Sequence, residues 1–313
     1  MEHVVIALGG NALQDVNLPP TAEAQLHVIR ETAKHLVDVI DRGYAITLTH
    51  GNGPQVGRIL MQNEAAEEIT PSLPFDVCGA MSQGMIGYLL QLAVGDELWL
   101  RKLEPRVITI VTQVVVDLDD PAFQNPTKPI GAFHTQAEAE TLQREHGYTM
   151  MEDAGRGWRR VVPSPHPVKI IEIDMIKDLL GLGLIVITVG GGGIPVIEVA
   201  DGTLSGVAAV IDKDRAAELL AEQIAADTLL ILTSVPAVAL DFGKPRQRWV
   251  SRLTAQEARR HADEGQFAPG SMRPKIEAAI RFVESRPGRK TVIAQLSDAV
   301  PALEGNAGTW ITG

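Results

Sequence analysis

Val4-Val5-Ile6-Ala7-Leu8-Gly9-Gly10-Asn11 joins five apolar residues to a glycine-rich turn. A short apolar run that ends in glycine is typical of a buried β-strand followed by a tight turn. The same order recurs in residues 45–53 and 184–193. Between the first two runs, apolar residues from Leu26 to Ile40 follow helical spacing. The chain therefore begins by alternating strands with helices.

The alternation continues along the chain and predicts an α/β fold. We expect further helices near 175–182, 213–225 and 276–283, further strands at 107–116, 228–232 and 291–294, and a capping box at residues 254–257. This order favours a mainly parallel sheet covered on both faces, with ligands beyond the carboxyl ends of its strands. Residues 117–167 differ, because they hold six prolines and one polar helical stretch near 136–146. We predict that they form a small protruding lid.

Composition limits the classes of function. The 313 residues include 28 Lys and Arg against 39 Asp and Glu, which gives a net charge of −11. That acidic balance argues against nucleic acid as a partner, since nucleic-acid binding needs a basic face. The single cysteine, Cys78, cannot form an internal disulfide, and no signal peptide or membrane span is visible. We therefore expect a cytoplasmic protein without a membrane partner.

The three glycine-rich turns are candidate anion-binding sites. Tight turning alone explains any one of them, because glycine tolerates positive φ. Three such turns at strand ends favour a function, since glycine lets backbone N–H groups approach an anion. Familiar motifs fail, however. The Gly-Lys pair before Pro245 lacks the rest of a Walker A loop, residues 181–183 precede a strand rather than follow one, and Ser82 lacks the glycines of a nucleophile elbow.

Few charged residues accompany these turns. Asp212, Lys213 and Asp214 stand at a predicted strand–helix junction, where helix capping by either aspartate is the simpler explanation. Lys275 falls in the first turn of a helix, where a cation is unfavourable unless an anion lies nearby. Lys128 stands between two prolines, and a solvated surface lysine is its simpler explanation. Lysines around glycine turns, with no evident nucleophile or metal-ligand pattern, suggest phosphoryl transfer.

Longer motifs make the chain recognisable. It resembles carbamate kinases, of the amino acid kinase superfamily, in the stretches Ala7-Leu8-Gly9-Gly10-Asn11-Ala12-Leu13, His50-Gly51-Asn52-Gly53-Pro54-Gln55-Val56-Gly57, Asp76-Val77-Cys78-Gly79-Ala80-Met81-Ser82-Gln83-Gly84-Met85-Ile86-Gly87-Tyr88, Arg160-Val161-Val162-Pro163-Ser164-Pro165, Gly190-Gly191-Gly192-Gly193-Ile194-Pro195-Val196, Val210-Ile211-Asp212-Lys213-Asp214 and Phe242-Gly243-Lys244-Pro245. The glycine turns alone indicate only the superfamily. The block at 76–88 and the proline-flanked Lys128 make the resemblance specific.

The resemblance implies a three-layer αβα sandwich around a mainly parallel sheet of about eight strands, formed by the single domain 1–313 with a small protruding subdomain at about 117–167. It implies reversible phosphoryl transfer between ATP and carbamate, which gives ADP and carbamoyl phosphate and serves catabolic ATP synthesis, as in arginine metabolism. The nucleotide would carry Mg²⁺, with no metal site formed by the protein. The partners would be these small molecules and a second copy of the chain in a homodimer.

Roles carry over by position. The half at about 1–183 would hold carbamate or carbamoyl phosphate, and the half at about 184–313 the nucleotide. The resemblance implies that substrate is bound by Gly9, Gly10, Asn11, Gly51, Asn52 and Gly53, that the catalytic residues are Lys128, Lys213, Asp214 and Lys275, and that nucleotide is bound by Gly191, Gly192, Ser234, Ala239, Met272, Arg273 and Lys275. Lys128 would close over the substrate, and Asp214 would organise the lysines.

The chain departs from the family pattern on the nucleotide side. Arg273 replaces the glycine of the usual Ser-Met-Gly-Pro-Lys, and Ala239 replaces a tyrosine. Ser234 and Pro236 stand in place of aspartates. We expect loss of the ring at 239 to weaken adenine binding and Arg273 to contact nucleotide phosphates. Two alternatives are a sibling kinase with another carboxylate or phosphate acceptor and a catalytically weak regulatory or binding protein.

Overall fold

The computed structural model describes residues 1–104, 106–153 and 155–313. Its strands are β1 (His3–Leu8), β2 (Ala45–His50), β3 (Val107–Thr109), β4 (Gln113–Val116), β5 (Lys128–His134), β6 (Met150–Glu152), β7 (Trp158–Val162), β8 (Pro167–Ile170), β9 (Ile185–Ile187), β10 (Ile194–Glu198), β11 (Leu204–Gly206), β12 (Thr228–Thr233), β13 (Val238–Leu240), β14 (Arg248–Val250), β15 (Arg252–Thr254), β16 (Lys290–Gln295) and β17 (Thr309–Thr312). Its helices are α1 (Ala22–Asp41), α2 (Gly53–Ala65), α3 (Phe75–Leu100), α4 (Gln136–His146), α5 (Ile173–Gly181), α6 (Lys213–Gln223), α7 (Ala255–Asp263), α8 (Met272–Ser285) and α9 (Ala299–Leu303).

The central sheet has eight strands in the order β15-β17-β16-β12-β1-β2-β9-β3. The strands from β16 to β3 are parallel to one another, and β17 runs antiparallel to β16. Side chains alternate between the two faces along each strand. In β1, Val5 and Ala7 pack toward α6 and α8, whereas Val4 and Ile6 pack toward α1 and α3. The predicted three-layer αβα architecture with a mainly parallel eight-stranded sheet is confirmed.

The longest helix of the described residues, α3, packs against α1 through a buried face that includes Ile86, Leu90 and Val94. By length and composition it could cross a membrane, and half of its most apolar window is buried inside the protein. Its small residues allow close contacts, since a Cβ at Gly87 would lie only 2.2 Å from Thr109 Cγ2. The helix therefore also buttresses β3.

The apolar run at 107–116 is not one strand, as the sequence predicted, but two strands in different sheets. β3 ends the central sheet, whereas β4 belongs to a second sheet of order β11-β10-β4-β8. The break between them is fixed by Gln83 of α3. Its Oε1 accepts a hydrogen bond from the Thr112 N–H at 2.8 Å, and its Nε2 donates to the Thr112 carbonyl at 3.1 Å. This tertiary contact has no signature in the local pattern.

The polar excursion after β4 forms its own small unit. β5, β7 and β6 make an antiparallel sheet, and α4 packs beside it. Thr135 and Glu138 form a capping box at the start of α4, and Gly147 ends the helix at φ 66°. The unit rests on α2, where Leu60 lies against Gly131 of β5. This contact brings Lys128, the first residue of β5, toward the edge where β1 and β2 end.

Candidate active site

The carboxyl ends of β12, β1 and β2 lie side by side at one edge of the central sheet. The turn at Gly9 follows β1, and the turn at Gly51 follows β2, so the two glycine turns are neighbours. A side chain at Gly9 has no room, because its Cβ would lie 2.8 Å from the Leu232 carbonyl oxygen. Glycine is therefore needed there for close approach of two backbones, independently of any ligand.

A cavity of about 240 Å³ opens at this edge. We call it the lysine cavity, and its lining includes Gly10, Gly51, Asn52, Gly53, Gln55, Lys128, Gly191, Asp212, Lys213, Asp214, Ser271 and Lys275. The helices α2, α6 and α8 all begin here, so three helix N-termini contribute partial positive charge. Three ammonium groups face two carboxylates within the lining, which leaves a net positive charge. The cavity is thus suited to an anion.

Asp214 joins two of the lysines. Its Oδ1 lies 2.8 Å from Lys213 Nζ, and its Oδ2 lies 2.7 Å from Lys275 Nζ. The aspartate side chain is only 4% exposed. Since α6 and α8 pack side by side, the carboxylate holds together the two helix N-termini that carry the lysines. The predicted role of Asp214 as organiser of these lysines matches this geometry.

The protonation states follow from burial and charge. Burial alone would raise the pKa of Asp214, but the ammonium groups of Lys213 and Lys275 outweigh it and lower that pKa to about 2. Burial lowers the pKa of Lys213, and the neighbouring Lys275 charge lowers it further, against the opposing pull of Asp214. An anion in the cavity would favour the charged form of Lys213. The carboxylate is therefore committed to positioning and is too weakly basic to accept a proton.

Asp212 has a different task from its neighbour two residues on. Its Oδ1 accepts the Asp214 N–H at 2.9 Å and so caps α6. Its Oδ2 lies 3.3 Å from Lys128 Nζ, which reaches it from the protruding subdomain. The sequence left open which aspartate capped the helix, and the structure assigns that role to Asp212. Lys128 lies in the cavity wall rather than on the surface alone.

The second glycine turn is held from behind by α3. Asn52 Nδ2 donates to Ser82 Oγ at 2.8 Å, and Ser82 Oγ donates to the Gly79 carbonyl at 2.6 Å. Gly191 leaves space for this amide, because a Cβ there would lie 2.2 Å from Asn52 Nδ2. The motif at 76–88 therefore supports the cavity through Ser82. It does so without lining the cavity itself.

His50, the last residue of β2, is buried beside the same turn. Its Nδ1 is 2.9 Å from the Gly51 carbonyl oxygen, and its ring packs against the backbone of Gly190. Burial lowers the pKa of His50 to about 4, with Lys213 adding to the shift against the Gly51 hydrogen bond. The ring is thus neutral near pH 7, with its Nδ1 proton donated to that carbonyl.

Two more cavities adjoin the lysine cavity. One of about 170 Å³ is lined by Gly9, Gly10 and Asn11 together with Lys213, Ser234 and Lys275. The other, which we call the apolar cavity, has about 260 Å³ and is lined by Thr233, Ser234, Val235, Ala237, Ala239, Phe242, Trp249, Gln266, Phe267, Ala268, Ser271, Met272 and Lys275. Lys275 lines all three cavities. It stands where the apolar cavity meets the anion-binding region.

The structure distributes the predicted site residues unequally. All six predicted substrate-binding residues and all four predicted catalytic residues line the lysine cavity or its smaller neighbour. Of the predicted nucleotide-binding residues, four line the apolar cavity, namely Ser234, Ala239, Met272 and Lys275. The sequence analysis missed Trp249 and Gln266 of the same lining. Both lie a few residues outside stretches compared with the family, Trp249 after Pro245 and Gln266 before Ser271, and only the fold shows that they face the same cavity.

Three predicted nucleotide residues lie elsewhere. Gly191 lines the lysine cavity, and Gly192 is buried against Ile211, whose carbonyl oxygen would lie 2.2 Å from an added Cβ. These two glycines therefore lie beside the lysine cavity and not in the lining of the apolar cavity. Arg273 is outside the apolar lining, and its Nε donates to Glu277 Oε1 at 2.8 Å. The predicted contact of Arg273 with phosphates therefore competes with an existing ion pair.

Comparison with known proteins agrees with this geometry. Residues 2–295 match the family model described as the amino acid kinase family. The chain is 50% identical over 313 residues to a carbamate kinase of Pyrococcus horikoshii, covering 99% of both chains. It is 52% identical over 311 residues to one of Clostridium perfringens, covering 98% of this chain and 99% of the relative.

A solved structure described as carbamate kinase from Giardia lamblia bound to AMP-PNP superposes with a TM-score of 0.94 at 43% identity. That match covers 99% of this chain and 98% of the Giardia chain. The similarity thus extends over the central sheet, the protruding subdomain and the lysine cavity together. The chain belongs to the amino acid kinase family, and within it to the carbamate kinases.

Proposed function

We propose that this protein transfers a phosphoryl group reversibly between ATP and carbamate, giving ADP and carbamoyl phosphate. One observation carries the proposal. The buried Lys213–Asp214–Lys275 cluster lies between an apolar cavity and a glycine-lined cavity, so a nucleotide and an acceptor can meet at the two ammonium groups. The 43–52% identity to carbamate kinases favours carbamate as the acceptor.

The residues support catalysis by positioning and charge. Phosphoryl transfer spreads negative charge over the transferred oxygens, and preorganised cations stabilise that charge. Lys213 and Lys275 are held in place by Asp214, so they need no rearrangement when the charge develops. Carbamate is already an anion and can attack the phosphorus without losing a proton. The neutral His50 and the committed Asp214 therefore need not act as bases.

The two substrates would enter from opposite sides of Lys275. The nucleotide base would occupy the apolar cavity and the acceptor the lysine cavity, beside the turns at Gly10 and Gly51. Lys128 would cover the acceptor and exclude water, which protects a labile phosphoryl donor. Release of Lys128 from Asp212 would open this side. The subdomain would then act as a lid.

The nucleotide would carry Mg²⁺ on its own phosphates. Asp212 and Asp214 are the carboxylates of the lysine cavity, and both are engaged by lysines, with Asp212 also capping α6. This donor set fits a metal held chiefly by phosphate oxygens and water, which is common for Mg²⁺. When bound, the ion would neutralise part of the phosphate charge.

A second copy of the chain would complete the assembly. Along α3, Val77, Met81 and Tyr88 form an exposed apolar stripe, and Tyr88 is 63% exposed. Val111 and Leu204 extend this apolar face beside Val77. A homodimer would bury it, which is the usual fate of a large apolar patch. Met81→Asp should then give a folded monomer in analytical ultracentrifugation, and an unchanged mass would contradict the interface.

The reaction itself is tested by ATP formation from ADP and carbamoyl phosphate, followed by luminescence, with acetyl phosphate as the competing donor. We expect rapid ATP formation with carbamoyl phosphate. Faster reaction with another acyl phosphate would favour a sibling kinase. Nucleotide binding without any ATP formation would favour a regulatory or binding protein.

A cytoplasmic location is proposed as well. The single cysteine, Cys78, is buried, and burial raises the pKa of its thiol, as suits an unreactive cysteine.

A further inference from the structure

The wall of the apolar cavity contains a short antiparallel ribbon formed by β13 and β14. In this ribbon Ala239 pairs directly with Trp249. Directly opposed residues of an antiparallel pair project their side chains from the same face. The Trp249 indole and the Ala239 methyl group therefore lie on the same face of the ribbon. Trp249 supplies the only large side chain of this pair.

Trp249 is unusually placed for a surface residue. Trp249 is 46% exposed to solvent, whereas the opposed Ala239 is only 5% exposed. The indole makes an edge-on contact with Phe242, with ring centroids 6.5 Å apart and an interplanar angle of 63°. Both rings line the apolar cavity. An accessible aromatic pair beside a cavity offers a flat face to a planar ligand.

The polar groups near the rings suit a nucleotide. Gln266 Oε1 accepts the Asp241 N–H at 2.8 Å, which holds the amide of this residue in the lining of the cavity. At the other end, Lys275 links the same cavity to the lysine cavity. A base beside Trp249 would thus place its phosphates toward Lys275. The cavity has an aromatic end and a cationic end.

We propose that Trp249 is the stacking platform for the nucleotide base, on the face of the ribbon that the small Ala239 leaves open. The proposal rests on the proposed function, because it takes the apolar cavity as the nucleotide site. It also reverses an expectation from the sequence. A small residue at 239 does not leave the site without a ring but leaves room for Trp249.

The test exchanges the two positions. Trp249→Ala should weaken ADP binding, measured calorimetrically, by about tenfold or more, as expected for a lost base–aromatic stack. Ala239→Tyr alone should bring no gain, because the new ring would compete with Trp249 for the same face. The double variant Ala239→Tyr/Trp249→Ala should recover most of the lost affinity. Such recovery would not follow from a merely structural role of Trp249.

Trp99→Ala is the matched control, because Trp99 is 72% exposed at the end of α3, outside the apolar lining. It should bind ADP like the wild type. The KM for carbamoyl phosphate should stay unchanged in the Trp249 variants. Wild-type ADP binding by Trp249→Ala, or no recovery in the double variant, would overturn the proposal. Trp249-dependent ADP binding without ATP formation would contradict the proposed function alone.

Discussion

Lys128 Nζ lies 3.3 Å from Asp212 Oδ2, so the protruding subdomain touches the residue that caps α6. The contact is partly exposed, with 38% of the lysine side chain and 14% of the aspartate side chain accessible. An exposed ion pair of this kind contributes little stability. The contact places a partly exposed cation at the mouth of a cavity whose other two lysines are more deeply buried and paired with Asp214.

Removing this cation should affect one substrate more than the other. Lys128→Ala is expected to raise the KM for carbamoyl phosphate roughly tenfold, since a charge-assisted contact is lost. The KM for ADP should change much less, because the apolar cavity does not include Lys128. Steady-state kinetics with each substrate varied in turn measures both. Equal effects on the two constants would place Lys128 outside the acceptor site.

Two substitutions of Asp212 can distinguish its role as the N-cap of α6 from its contact with Lys128. Asp212→Asn keeps a good N-cap, whereas Asp212→Ala should cost about 1 kcal/mol of unfolding free energy. Both variants remove the ion pair with Lys128. We therefore expect the KM for carbamoyl phosphate to change equally in the Asp212→Asn and Asp212→Ala variants. Only Asp212→Ala should lower the free energy of unfolding. Urea unfolding beside kinetics checks this, and a stable alanine variant would argue against the cap.

The two fixed lysines should matter for the chemical step. Lys213→Ala and Lys275→Ala are each expected to lower kcat by about 100-fold or more, because a preorganised cation is removed from the transferred group. Lys34→Ala, at an exposed position on α1, is the matched control and should keep full activity. A fixed-lysine variant with a kcat close to that of the wild type would remove that residue from the reacting centre.

The low pKa of His50 predicts that the protein loses stability as the pH falls. Its pKa of about 4 in the folded state lies below the 6.5 of a free histidine, so the unfolded chain binds the extra proton between these values. Stability should be complete above pH 6.5 and fall by up to about 3 kcal/mol as the pH drops to 4. His50→Asn removes this dependence while keeping an N–H near the Gly51 carbonyl. Denaturant unfolding from pH 4 to 7 should therefore show a flatter profile for the variant. An identical slope would contradict the assignment.

The raised pKa of Glu218 predicts that stability falls as the pH rises. It is 3% exposed, and among the described residues its Oε1 has no hydrogen-bond partner. Burial raises its pKa to about 8, with Arg281 and Arg289 opposing the shift and Glu222 adding to it. The folded state therefore holds a proton that the unfolded chain loses above pH 4.5, and stability falls as the pH rises toward 8.

Glu218→Gln should remove this loss. The variant is expected to be more stable than the wild type at pH 9 by up to a few kcal/mol, with the difference shrinking toward pH 5. The same substitution at the exposed Glu67 is the control. Thermal unfolding across this pH range gives the comparison. A constant difference between variant and wild type would mean that Glu218 keeps its charge in the fold.

Local patterns in the sequence predicted much of the fold. The helix at 136–146 and the capping box of Thr254 and Glu257 form as expected, since both depend on residues close together in the chain. The run at 107–116 forms two strands rather than one because Gln83, far away in sequence, interrupts it. Strand pairing is similarly invisible locally.

In the site, too, some features were predictable from the sequence and others were not. The glycine turns and the charged residues were identified as candidates, but their roles came from the family resemblance rather than from spacing. The ion pairs of Asp214 with Lys275 join positions 61 residues apart, and the pairing of Trp249 with Ala239 depends on the ribbon. Such contacts form only when the elements pack. That explains why the ring at 249 escaped the sequence analysis.

The protruding subdomain has a consequence for how the fold can diversify. Val116 at the end of β4 pairs with Pro167 at the start of β8, so the chain leaves and returns at adjacent positions of one sheet. Neighbouring strands are only about 5 Å apart, a gap that a short hairpin turn can span. The insertion is therefore attached to this sheet at one place, and its length can change without altering the order of the strands. Variation within the insertion would then change what covers the lysine cavity, through Lys128, while the ion pairs of Asp214 with Lys213 and Lys275 stay on α6 and α8.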